Sequence, residues 1–216
     1  MADTSKDLAL SVNHALSQVG HSPLPMDTVV GFLGDGAKTL ITRSLMASGD
    51  GETSPGEIDG ALEAFLDHYR DHCLRETRLY PGMKASLDAL AGRRKAVLTN
   101  KPDAPARKIL AGLGVSACFV RLVGGDNPHG KKPDPAALRE IMAAENVSPE
   151  ETLMIGDGLQ DLKVAKRAGA HFLGFTGGMA PQGLLLPEHP EAVLEDMARL
   201  PQAIAALEAR LAGGRP

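Results

Sequence analysis

The stretch LMIGDGLQDLKVAKRAG, residues 153–169, decides the fold. A short apolar run from Thr152 to Ile155 reads as a buried strand. Gly156 ends it, Asp157 stands at its tip, and Leu159 to Ala168 reads as a helix stopped by Gly169. A strand running into a helix through a glycine-bounded turn is half of a parallel βαβ unit. Gly156 and Gly158 permit the tight turn and the close approach of a ligand. Asp157 and Asp161 place two carboxylates four residues apart, a pattern that suits a magnesium ion. Taken alone, a helix cap at Asp157 and a surface charge at Asp161 explain the same residues.

Working outward, the pattern repeats. Lys95 to Thr99, Phe119 to Val123, His171 to Phe175 and Ala192 to Leu194 read as strands. Ala104 to Leu113, Asp134 to Asn146 and Leu200 to Ala212 read as helices. Alternation with short loops predicts a parallel sheet covered by helices, an α/β fold with ligands at the C-terminal strand ends. Before Tyr80-Pro81-Gly82 the character differs. Residues 3–76 read as helical throughout, with no segment alternating like a strand. A first helix runs to Val19, with Leu8, Val12, Ala15, Leu16 and Val19 on one face. Short helical pieces follow from Pro25 to Phe32 and from Ala37 to Ser48. Ser54 and Glu57 form a capping-box pattern ahead of a helix with Ile58, Leu62, Phe65, Leu66 and Tyr69 as its stripe. The expected division is a helical domain over residues 1–77 and an α/β core over 78–216.

Two further strand ends carry chemistry. VLTNK (97–101) presents Thr99 and Asn100 where a hydroxyl and a helix N-terminus could hold phosphate. Capping of the next helix is the plain alternative. KKPDP (131–135) aims Lys132 from a helix-leading loop toward the crevice, with Asp134 as cap and Pro135 at the first helical position. An ammonium there can neutralise a phosphate. Solvation is the plain alternative, and it is the reading adopted for Lys131.

Thr-Asn-Lys, then Lys-Pro-Asp-Pro, then Gly-Asp-x-x-x-Asp-x-x-x-Ala-x-x-Ala-Gly stand in this order, each after a strand. The set resembles the second, third and fourth motifs of the haloacid dehalogenase (HAD)-like hydrolases, phosphoglycolate phosphatase-like branch. The resemblance implies a HAD-like Rossmann-type parallel core with an inserted α-helical cap. It implies magnesium-dependent hydrolysis of a small phosphorylated metabolite, phosphoglycolate first. By resemblance, Thr99 binds the phosphoryl group with Asn100 assisting, Lys132 stabilises charge, Asp157 ligates magnesium and Asp161 supports that site. The cap stretch VGFLGDGA (30–37) resembles the loop that approaches substrate, which nominates Gly34, Gly36, Lys38 and Arg43 as substrate-binding residues. Arg43 could pair with a carboxylate, although a solvated helix face explains Lys38 and Arg43 equally. Gly158 stands where relatives often have serine.

The family's first motif is a strand followed by Asp-x-Asp-Gly-Thr, with the nucleophile and the general acid–base aspartates. Here Met1-Ala2-Asp3-Thr4 matches only its end. The expectation is that the strand and both aspartates lie upstream of residue 1 in a longer gene product. The 216 residues alone would then be inactive. In this fold that strand sits between those ending at Thr99 and Ile155, and each unmet buried backbone group costs ~1–3 kcal/mol. The alternatives are an inactive phosphate- or partner-binding protein and a sugar-phosphate mutase.

Composition fits a cytoplasmic monomer or homodimer. Hydrophobic residues make up 43%, charged residues 23%, and the net charge of −4 offers nothing to nucleic acid. No apolar run suggests a membrane span. Cys73 and Cys118 form no CxxC pattern, so a disulfide framework is not expected. Seven histidines give no ligand cluster: His68 and His72 have helical ligand spacing but no evident third ligand, and read as exposed side chains.

Overall fold

The computed structural model describes residues 1–49, 53–179, 183 and 185–213. The chain opens with a two-residue strand β1 (Ala2–Asp3). Helices α1 (Ser5–Gln18), α2 (Met26–Val30), α3 (Ala37–Ser48) and α4 (Pro55–His72) follow. These helices form the cap. Leu8, Val12, Ala15 and Leu16 of α1 are buried against Ala61, Phe65 and Tyr69 of α4, with Ile41 and Leu45 of α3 completing the cluster. Ile58, Leu62 and Leu66 pack at its margin. Ser54 and Glu57 form the capping box that starts α4.

Strand β2 (Arg78–Leu79) then pairs antiparallel with β1, Ala2 opposite Leu79 and Asp3 opposite Arg78. The two crossings between cap and core therefore lie side by side. Asp7, 1% exposed, fastens them: its carboxylate accepts from the backbone N–H groups of Glu76 and Thr77 and from the Thr77 hydroxyl at 2.8 Å. The sequence reading placed no strand here, because two-residue strands carry no alternation to read.

The remaining elements are α5 (Met83–Ala89), β3 (Ala96–Leu98), α6 (Asp103–Gly112), β4 (Arg121–Val123), α7 (Ala136–Glu145), β5 (Leu153–Gly156), α8 (Leu159–Ala168), β6 (His171–Phe175), β7 (Ala192–Leu194) and α9 (Leu200–Gly213). Helix α5 was absent from the sequence reading. It buries only Met83, Ser86 and Leu87 over seven residues, too short for a periodic signal. The parallel strands form two half-sheets, β3–β4 and β5–β6–β7. Among the described residues β3 and β5 each have one strand partner. Between them lies a cavity of about 780 Å3 lined by Val97, Leu98 and Thr99 on one side and Met154, Ile155 and Gly156 on the other. This slot leaves both strands half-buried, whereas parallel strands are ordinarily covered on both faces. Met83, Leu87, Leu173, Phe175, Leu200 and Ile204 belong to the core cluster of the α/β part, and most of them also line this cavity. No helix among the described residues is long and apolar enough to cross a membrane.

Candidate active site at the strand ends

Thr99, Lys132, Asp157 and Asp161 all line the one cavity between the half-sheets. Thr99 follows β3, and its Oγ1 accepts from Lys101 N–H at 3.1 Å. Asn100 donates through Nδ2 to Lys132 O at 3.0 Å and to Gly34 O at 3.1 Å. Its Oδ1 is buried and, among the described residues, has no hydrogen-bond partner.

Lys132 spans the slot. Its Nζ donates to Leu98 O, at the end of β3, at 3.1 Å, and to Asp161 Oδ1, in the first turn of α8, at 2.5 Å. The two side chains are only 12% and 10% exposed. Asp161 Oδ2 accepts from Gly158 N–H at 3.2 Å, so both of its oxygens are engaged. Residue 156 must be glycine because a Cβ there would collide with the Asp161 side chain.

Asp157 takes a different position. Its Oδ2 accepts from Met179 N–H at 2.8 Å, in the loop after β6. Gly178 is the adjoining close approach: a Cβ there would strike the Asp157 carboxylate. The Met1 α-amino group also reaches this region. Burial pushes its pKa down, against the opposing pull of Asp157 and Asp161.

A magnesium ion takes hard oxygen donors, commonly one or two carboxylates with water and phosphate oxygens. Asp157 fits that chemistry, since its Oδ1 accepts no hydrogen bond from the described residues. Asp161 is tied through its two oxygens to Lys132 and to the α8 turn. Among the described residues no group of three or more His, Cys, Asp or Glu side chains stands ready to hold a metal.

The cap loop 34–36 docks beside these residues. Gly34 O meets Asn100, and the Asp35 carboxylate accepts from Gln160 Nε2 at 2.5 Å. Lys131 Nζ lies against Asp35 O at 3.5 Å and beside Gly36. Lys131 therefore touches the cap loop, although it was read as merely solvated. Arg43 pairs with a carboxylate, that of Asp35 at 2.8 Å, and so braces the loop from within the cap. Lys38 pairs with exposed Asp59 at 3.1 Å, on the cap surface rather than in this loop contact.

Sequence reasoning missed Gln160, Gly178 and Met179. The Gly177-Gly178 pair, one residue past the end of β6, was a legible signal for the last two. It also missed the buried contact of Lys101, whose Nζ donates to Tyr69 Oη at 2.6 Å. Burial holds that ammonium down to about 8, although Cys73 and Asp7 pull the other way. Burial also pushes the Tyr69 phenol far up.

The parallel strand ends, the Thr/Lys/Asp set around one slot and the helical cap define the class. The chain belongs to the haloacid dehalogenase-like hydrolases, whose family model matches residues 1–175. It is 39% identical over 182 residues to the phosphoglycolate phosphatase of Colwellia psychrerythraea, covering 82% of this chain and 80% of that one. It is 32% identical over 206 residues to the phosphoglycolate phosphatase of Agrobacterium fabrum, covering 94% and 88%. The crystal structure of a predicted phosphoglycolate phosphatase from Haemophilus somnus superposes with a TM-score of 0.88 at 28% identity, covering 94% of this chain and 92% of that one.

Proposed function

We propose that this protein is a phosphomonoester hydrolase of small phosphorylated metabolites, with phosphoglycolate as substrate, acting through a phosphoaspartate. The observation that carries the reading is the convergence of Thr99, Lys132 and Asp157 on one cavity between β3 and β5. In this reading the slot receives a strand that bears the Asp-x-Asp pair. Thr99 holds a phosphoryl oxygen through its hydroxyl, and Asn100 assists by tying the Lys132 backbone and the cap loop together. Lys132 offsets the negative charge of phosphate and nucleophile while Asp161 fixes its position. Asp157 would hold magnesium, which supplies charge neutralisation at the phosphoryl group. Residues 1–77 act as the cap and 78–216 as the core. The docked loop 34–36 would shield the phosphoryl group from water, with Gly34 and Gly36 nearest the substrate and Arg43 bracing them.

The test is phosphate release from phosphoglycolate with and without magnesium. Residues 1–216 are compared with the same chain preceded by an apolar strand and Asp-x-Asp-Gly-Thr. Activity confined to the extended, magnesium-supplied protein is expected. Turnover by the short chain would place the nucleophile elsewhere. Inactivity of both would remove the phosphoglycolate assignment and favour a binding role.

A further inference from the structure

On the cap, away from the strand ends, three imidazoles stack in a row. His14 of α1 lies over His68 of α4 with ring centroids 4.3 Å apart, and His68 lies over His72 at 4.0 Å with 23° between the planes. The surrounding hydrogen bonds fix the tautomers of two of them. His72 Nδ1 is 2.7 Å from His68 O, a carbonyl that can only accept, so Nδ1 carries the proton. His68 Nδ1 is 2.9 Å from Ser11 Oγ, and that hydroxyl already donates to Asp7 O at 2.8 Å. Ser11 must therefore accept, and His68 Nδ1 also carries its proton. Both rings are left with Nε2 as a bare lone pair. Neither Nε2 has a hydrogen-bond partner among the described residues, and neither is sealed from solvent.

From this geometry we infer that His68 and His72 form a surface chelate for a borderline divalent transition metal: copper, nickel or zinc. Histidines at i and i+4 share one helix face, the spacing by which helical zinc sites present two nitrogens. A ligating imidazole characteristically donates its other N–H to a carbonyl or another acceptor, and both rings already do so. The rings as they stand are stacked rather than convergent. Chelation requires the rings to turn about their Cβ–Cγ bonds until both Nε2 atoms lie at the ~2.0–2.1 Å of a metal–imidazole bond from one ion. Water completes the coordination. Imidazole nitrogen favours these metals over magnesium, so the site is distinct from the oxygen donors at Asp157.

The experiment is calorimetric titration of nickel chloride into the folded chain at pH 7.5 without chelator, with magnesium chloride as the control. Copper(II) electron paramagnetic resonance reports nitrogen ligation. One nickel equivalent is expected, with nitrogen hyperfine structure on copper and no heat from magnesium. His72→Ala and His68→Asn should each remove that equivalent, while His14→Ala retains it. Ser11→Ala, which frees the His68 tautomer, should weaken binding by about 10-fold. Circular dichroism confirms that each variant is folded. The inference is overturned if nickel binds equally to the wild type and His72→Ala, or if the folded wild type binds none. Loss of the site in His14→Ala alone would also overturn the assignment of the pair.

Discussion

Replacing Lys132 by methionine tests how the two half-sheets are held at the candidate site. The substitution keeps the aliphatic stem and removes the ammonium that joins Leu98 O to Asp161 Oδ1. Asp161 is then left as a carboxylate about 10% exposed. Its remaining hydrogen bond, from Gly158 N–H, is long at 3.2 Å. Removing one partner of a buried ion pair costs ~3–5 kcal/mol, most of it the desolvated charge left behind. For a chain of 216 residues the unfolding entropy is ~0.45 kcal/mol/K, so the melting temperature should fall by ~7–11 °C. The double variant Lys132→Met/Asp161→Asn removes both charges while an amide oxygen still accepts from Gly158. It should recover most of the loss. Urea unfolding of the four proteins in the cycle, at pH 7.5, measures the coupling directly. A coupling energy below ~0.5 kcal/mol, the ordinary scatter of independent sites, would refute the view that Lys132 and Asp161 act as one unit.

Three further outcomes follow from residues outside that pair. Lys101 has a folded pKa of about 8 against an ordinary 10.5. Between those values the unfolded chain keeps a proton that the folded chain has lost, so stability rises with pH. Relative to Lys101→Met, wild-type stability should climb by ~2 kcal/mol from pH 7.5 to 9.5, and parallel pH profiles would contradict the burial argument. Asp7→Ala leaves the Glu76 and Thr77 donors without their acceptor and should cost at least ~3 kcal/mol in urea unfolding. Gly178→Ala drives a methyl group into the Asp157 carboxylate; a loss of ~1–3 kcal/mol and a displaced Asp157 in a crystal structure are expected.

Much of the architecture was legible because long elements repeat their signal. Residues 37–48, 159–168 and 171–175 carry their helix or strand over their full observed length. Thr99, Lys132 and Asp157 were legible because each follows a strand in a fixed order, which places all three at one edge of a parallel sheet. The β1–β2 pair and α5 were not legible: they are held by contacts across the sequence, not by local periodicity. The partner of Asp161 was not legible for a similar reason. Spacing put it beside Asp157, but only the fold shows Lys132 claiming it. His14 lies 54 positions before His68, and no spacing rule connects the two. Lys38 meets Asp59 on the neighbouring cap helix in an exposed pair, a partner that no local spacing announces.

The paired crossings at Ala2–Leu79 and Asp3–Arg78, fastened by Asp7, set the mechanics of the cap. With both strands of the passage bound to each other, the two crossings act as one strap rather than two, and the helical layer is fastened again where Lys101 meets Tyr69 and Lys108 meets Arg70 O. Displacing it over the core breaks the Asp7 contacts or the Lys101–Tyr69 hydrogen bond. Loop 34–36 meets Asn100, Lys131 and Gln160, so freeing it from the strand ends breaks those three contacts together.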